Sequence, residues 1–359
     1  MNDKISVKTR DLYIDFFRGG AVLAILLHHT VFWTGDIVPS PNLLRNVSRL
    51  LEVPLFVYLA GWSAKYSHRL DKVFMNLIKI WLKWILFISL TDLIYFVVIK
   101  SINITSPIQW VYQCYYYTDA SWIPLLPVLP ASMWFMPMFI ALELLGSCFL
   151  MFKDRLNIED RNIYYVILFL MIGLSYLNLI NGDSWFLLSR NMCFYGIMYL
   201  VGYLSNDLIN KKFRFYLVVL LIDLLCWFLS GKLFGIAAKD LVSVKFPPHI
   251  MYLFASLICV IVCISLHGRM NSIVEKLKPI RFIGRNSLSF YFSQGIACSV
   301  PYMYVQNNPH IVEKYSWKTI LPVALLFNVV VGISIGSIFS YLFLFIERQI
   351  KKVNCKINK

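Results

Sequence analysis

The sequence predicts an all-α, polytopic integral membrane protein, with about ten helices in a single membrane-embedded domain over residues 1–359. Three observations lead there. Hydrophobic residues make up 59% of the chain and charged residues 15%, and the mean hydropathy is +0.66, a balance suited to lipid rather than water. The apolar residues come in runs of about twenty, the length that crosses a hydrocarbon core as a helix. These runs lack the alternation of an outer-membrane barrel, and an open sheet could not satisfy its backbone in lipid.

In order along the chain, the runs lie at 16–34, 50–66, 73–99, 132–152, 162–181, 186–204, 213–231, 247–267, 286–306 and 320–346. The first contains Arg18 and a His pair and has no small-x-small cleavage site, so it reads as a retained helix rather than a cleaved signal. Of the 34 Lys and Arg residues, 23 fall in alternate segments, from Lys4–Arg18 at one end to Arg348–Lys359 at the other, against 8 in the intervening loops. By the positive-inside rule both ends of the chain face the cytoplasm from a multi-pass position in the inner, cytoplasmic membrane. The basic excess is thereby a matter of topology. Residues sorted loop by loop do not form a nucleic-acid footprint, and no such partner is expected.

Loop 101–131 has no Lys or Arg and reads as an outer cap lying against the interface. The abundant aromatics mostly suit lipid-facing surface and interface belts, and those near 110–135 are also placed to stack on sugar rings. The eight Cys are scattered without a Cys-x-x-Cys pair, Cys114 alone falling in an outer loop. Cys259 and Cys263 share a helix face but lack His or carboxylate neighbours, so they read as small buried hydrophobes, and no metal is expected. Gly332, Gly336 and Ser340 form a small-residue face for close helix packing on the last helix.

The first helix carries the chemistry. Arg18 and His29 are eleven positions apart, which returns a helix to within about 20° of its starting direction and separates the two by about 16 Å along the axis. One face therefore holds a guanidinium near one membrane surface and an imidazole near mid-bilayer, where ionisable groups are functional suspects. His28 points about 100° off that face. Asp15, one turn before Arg18, is placed to orient it as an i,i+3 pair. In helix three, Lys72, Lys79 and Lys83 at i, i+7 and i+11 form a basic stripe. It reads either as lysines snorkelling to headgroups or as a cationic track for phosphates. The intramembrane acids Asp92, Glu143 and Asp223 are candidates to neutralise that stripe, to orient His29 or to form a proton path.

Asp15-Phe16-Phe17-Arg18-Gly19, followed by His29, resembles the first-helix signature of the membrane-bound acyltransferase 3 family. Three further phrases resemble family elements in the same order. They are Val53-Pro54-Leu55-Phe56 through Gly61-Trp62, Met133-Trp134-Phe135-Met136-Pro137, and Gly284-Arg285-Asn286-Ser287-Leu288-Ser289-Phe290-Tyr291. The sequence departs from the family at two places. Ser293-Gln294 stands where many members carry a His after the ninth-helix Tyr, and the paired-arginine motif leading into helix three is absent.

The resemblance implies a ten-helix enzyme that moves an acyl group, usually acetyl, from acyl-CoA to a sugar or lipid. It makes His29 the general base and Arg18, Asp15, Lys72, Lys79 and Lys83 the residues that hold the acyl-CoA donor. Trp134, Phe135, Glu143, Ser287 and Tyr291 become substrate-contact candidates. Acyl-CoA is then a substrate rather than a tightly bound cofactor, and the expected acceptor is a hydroxyl of a surface or exported polysaccharide, possibly lipid-linked. Imidazole suits the task because its ordinary pKa lets it accept the alcohol proton and return it to the departing thiolate. Without the resemblance, His29 reads first as a packing residue hydrogen-bonded across the bundle and only second as a catalytic group. The rival function is a carrier or flippase for a lipid-linked glycan, since buried charges in a helical bundle describe transporters too.

Overall fold

The computed structural model describes residues 11–50, 52–66, 70–99, 125–180, 184–209, 211–237, 241 and 243–357. The N-terminal lysines, Cys114 and most of the outer cap lie outside those residues. Among the described residues there is no strand, and each of the ten apolar runs coincides with a helix.

Helix α1 (Leu12–His29) starts where the Asp11 carboxylate accepts from Tyr13 N at 2.8 Å, satisfying one of the orphan amides of the first turn. Directly after the His pair the chain widens into a π-helical turn, Thr30–Thr34, and closes at Gly35–Ile37. The amphipathic α2 (Asn42–Leu50) leads to α3 (Val53–Ala64), with Pro54 in its first turn. There follow α4 (Leu70–Ile99), a short α5 (Val128–Ser132), α6 (Phe135–Arg155), α7 (Ile163–Leu179), α8 (Ser184–Tyr203), α9 (Phe213–Leu233) and α10 (Ile250–Leu266). Two short helices, α11 (Asn271–Lys276) and α12 (Lys278–Arg285), turn the chain into α13 (Ser287–Gln306). The fold ends with α14 (His310–Lys314) and the 41-residue α15 (Trp317–Ile357).

Six helical stretches are long and apolar enough to cross a membrane: Leu12–Ile37, Leu70–Val98, Val128–Arg155, Asp160–Leu179, Phe213–Leu233 and Trp317–Gln349. Helices α7 and α9 expose Leu, Ile and Phe over most of their circumference, the pattern of helices bathed in lipid. Helix α3 is the opposite case. It has 12 residues, so it is about 18 Å long and shorter than a hydrocarbon core. Eleven of those 12 are buried, so protein rather than lipid surrounds it. The run predicted at 50–66 is thus trimmed at both ends, and Glu52 and Lys65 flank it in ion pairs whose signs suit the helix dipole.

Backbone contact sets the helix pairs at the centre. A Cβ on Gly284 would meet the Asp15 carbonyl, and one on Gly19 would meet that of Ile280, so α12 lies flush on α1. The small-residue face of α15 does the same for the Phe290 ring, which lies where a Cβ on Gly336 would sit. Cys259 and Cys263 are buried free thiols on α10.

Candidate active site

Helices α1, α3, α4, α6, α13 and α15 enclose a cavity of 560 Å³. Arg18 enters it from α1 and donates from Nη2 to Ser63 Oγ of α3 at 2.8 Å. Ser63 in turn donates to Leu59 O at 2.8 Å, so its oxygen is held with a lone pair toward the guanidinium. Glu143 of α6 faces Arg18 across the cavity, near enough for the two charges to act on each other. Lys79 and Lys83, one turn apart on α4, line the same space, and Lys83 Nζ pairs with Glu347 Oε1 of α15 at 2.7 Å. From α13, Ser287 and Tyr291, again one turn apart, complete the wall; the Tyr291 hydroxyl donates to the Ser132 carbonyl and its ring packs edge-on to Phe135.

Residues chosen from four separate sequence segments thus meet around one cavity. Others of the set do not. Lys72 is exposed and lines neither this cavity nor the one beside it, so the predicted stripe divides after its first member. Trp134 packs edge-on against Phe246, with centroids 5.1 Å apart, and does not line the cavity. The counter-ion of Lys83 is Glu347 rather than Asp92, Glu143 or Asp223, because the line through the lysines faces α15. Glu347 lies one residue past the predicted apolar run, where a charge reads as a solvated flank.

A second cavity of 710 Å³ adjoins the first, with Arg18 and Ser63 lining both. Asp15 borders it, and its carboxylate accepts from Arg285 Nε at 3.0 Å. At its rim burial works against ionisation of Asp11, but the His267 hydrogen bond and the Tyr13 amide outweigh it and hold the carboxyl below the usual carboxylate range.

His29 stands eleven residues beyond Arg18 on α1. It is half-buried, its Nδ1 has no hydrogen-bond partner among the described residues, and the Gln294 amide of α13 stands beside its ring. His28 is in the opposite situation. Its Nδ1 lies 3.3 Å from Ser48 Oγ, and its Nε2 lies 3.2 Å from Lys245 Nζ and 3.5 Å from Glu52 Oε2. Lys245 Nζ is 2.6 Å from Glu52 Oε1, and every member of this cluster is buried. Sequence reading missed the cluster entirely. Glu52 and Lys245 sit at the margins of apolar runs, where charges are expected as flanks, and only their 193-residue separation closing in space makes them partners.

Immediately past the His pair, Thr30 donates to Leu26 O at 2.7 Å and accepts from Asn328 Nδ2 at 2.7 Å, tying the π-turn to α15. Such turns recur at functional sites because they re-aim side chains within an otherwise continuous helix.

A family model described as an acyltransferase domain, that of the acyltransferase 3 family, matches residues 11–341 of the chain. The chain belongs to the acyltransferase 3 family. It is accordingly a helical membrane acyltransferase, and family membership decides between the enzyme and carrier readings. The matched region of this acyltransferase begins at the Asp11 cap and takes in every cavity residue discussed above except Glu347. Comparisons with curated proteins and with solved structures give no match.

Proposed function

We propose that the protein transfers an acyl group, acetyl in the first instance, from acyl-CoA to a hydroxyl of a sugar on a surface or exported polysaccharide, from a position in the cytoplasmic membrane. The observation that carries this reading is the gathering of Arg18, Lys79 and Lys83 around one cavity, with His29 farther along the same helix as Arg18. A coenzyme A thioester is a large polyanion made in the cytoplasm, so its path needs cations at the inner end. A planar guanidinium, fixed by Ser63, presents paired donors to a phosphate, and two lysines add point charges.

In this scheme the acyl end reaches toward His29. The imidazole removes the proton of the acceptor hydroxyl as its oxygen attacks the thioester carbonyl; the carbon–sulfur bond then breaks, and the thiolate takes the proton back. The acceptor approaches from the membrane or from its outer side, which agrees with a ten-span topology having both chain ends inside.

Purified protein in detergent, incubated with acetyl-CoA labelled in the acyl group, should release free CoA and yield label in acetate, in the protein or in an added glycan acceptor. An intact thioester with every acceptor and at every protein concentration would remove acetyl-CoA as the donor. In the active case Arg18→Lys should recover only part of the donor binding lost in Arg18→Ala, because the forked donor set is missing.

A further inference from the structure

Two helices leave the donor cavity side by side and meet again at His29. On α1, Arg18 lines the cavity, and His29 is eleven residues farther along the same face. On α13, Ser287 and Tyr291 line it, and Gln294 lies seven residues beyond Ser287, within about 20° of the same line and about 10 Å farther along the axis. The helices are in contact, and the far members of the two series stand together, the Gln294 amide beside the His29 ring.

Gln294 is fully buried, and neither Oε1 nor Nε2 has a well-formed hydrogen bond among the described residues, the His29 ring being the group close enough to interact with the amide. Its neighbours on α13 behave ordinarily. Ser293 bonds to the Phe290 and Gly332 carbonyls at 2.9 and 2.8 Å, and Ser299 to that of Gly295 at 2.7 Å. Buried polar groups are almost always paired, and this primary amide, set against a half-buried imidazole, keeps hydrogen-bonding capacity for a group brought to the same place.

We propose that Gln294 is a catalytic residue that donates from Nε2 to the acyl carbonyl oxygen of the thioester. The assignment rests on the acyl-CoA reading above. As the acceptor oxygen, deprotonated by His29, bonds to the carbonyl carbon, the carbonyl π pair moves onto oxygen and the Gln294 N–H meets the developing charge. When the carbonyl re-forms, the carbon–sulfur bond breaks and the thiolate takes the proton from His29. An amide suits this position because it donates at every pH and adds no charge to the bilayer interior.

The test uses the full-length protein in detergent with Gln294→Met, which keeps the side-chain length without the donor, and Gln294→Asn, which withdraws the amide by one methylene. Acetyl-CoA consumption should fall about 10²- to 10³-fold in Gln294→Met, the usual loss of an oxyanion donor, with the Kd for free CoA and the melting temperature unchanged. The wild type should also bind acetyl-CoA more tightly than the thioether ethyl-CoA, which lacks the carbonyl, and the variant should lose that preference. Turnover within about threefold of wild type, or a retained carbonyl preference, would overturn the assignment. If Gln294→Met does not fold, the same two measurements on Gln294→Asn decide. Wild-type protein that neither binds nor consumes acetyl-CoA would instead remove the donor reading on which the proposal stands.

Discussion

The Lys245 ammonium donates to Nε2 of His28 at 3.2 Å. An ammonium can only donate, so Nε2 is the acceptor and the His28 proton resides on Nδ1, pointing at Ser48 Oγ. Ser48 passes the direction on by donating to the Arg45 carbonyl at 2.9 Å. Both ring nitrogens of His28 are therefore committed, whereas His29 keeps Nδ1 unengaged among the described residues. Adjacent histidines on one helix thus stand in different surroundings.

The two should separate cleanly by mutation. His29→Ala should keep its melting temperature and its Kd for acyl-CoA while losing about 10² to 10⁴ in turnover, the usual worth of general-base catalysis. His28→Ala should show a lowered melting temperature with turnover per folded molecule largely kept. Detergent melting curves and turnover on the same preparations check both. A near-wild-type rate in His29→Ala would remove it as the base.

The Glu52–Lys245 pair is buried at 2.6 Å, so removing one member strands the other's charge. Glu52→Gln or Lys245→Met alone should destabilise by roughly 3–5 kcal/mol, and the double variant by clearly less than the sum. Additive losses in a double-mutant cycle would mean that the two do not act as a pair.

Glu347 and Lys83 line the same cavity and pair across it. If phosphates bind there, Glu347 competes with them for the ammonium. Glu347→Gln should then lower the apparent KM for acyl-CoA, whereas Lys83→Ala combined with Lys79→Ala should raise it, with the acceptor KM little changed. An unchanged donor KM in the double lysine variant returns those side chains to headgroup snorkelling.

At Gly284 a Cβ would run into the backbone of α1, at the Asp15 carbonyl and the Gly19 nitrogen. Gly284→Ala should push α12 off α1 and cost more than the roughly 1–3 kcal/mol typical of overpacking, because a carbonyl cannot turn aside as a side chain can. Gly20→Ala, on the same helix as Asp15 but with no atom within 4 Å of the added carbon, is the control and should fold normally. Fluorescence-detected size-exclusion of the two variants measures the difference.

Much of this was legible in the sequence because it depends on local periodicity. The ten apolar runs and the Arg18-to-His29 register need only the rise and turn of a helix, and these hold up to the π-turn at Thr30. The grouping of Lys79, Lys83, Ser287 and Tyr291 rests on two i,i+4 faces, but their meeting with Arg18 and Glu143 is a matter of which helices pack together, which no single segment encodes. Glu52, Lys245 and Glu347 stayed hidden for a related reason. Each lies at the edge of an apolar run, where a charge is expected to be solvated, and burial is conferred by elements far away in the chain. Gln294 attracted notice in the sequence only as a departure from the family pattern, since an uncharged amide inside an apolar helix carries no signal until its surroundings are seen.

Helix α15 runs for 41 residues, about 61 Å of continuous helix. It carries Glu347 at the cation-lined cavity and Asn328 at the π-turn behind His29, nineteen residues or about 28 Å apart. A rod of that kind resists compression and twisting between two points, so an axial slip or rotation at one end is felt at the other. If a polyanion displaced Glu347 from Lys83, a shift of α15 would act at the same time on the hydrogen bond that Asn328 makes to Thr30. One continuous helix thus ties the cation-lined cavity to the turn that follows His29.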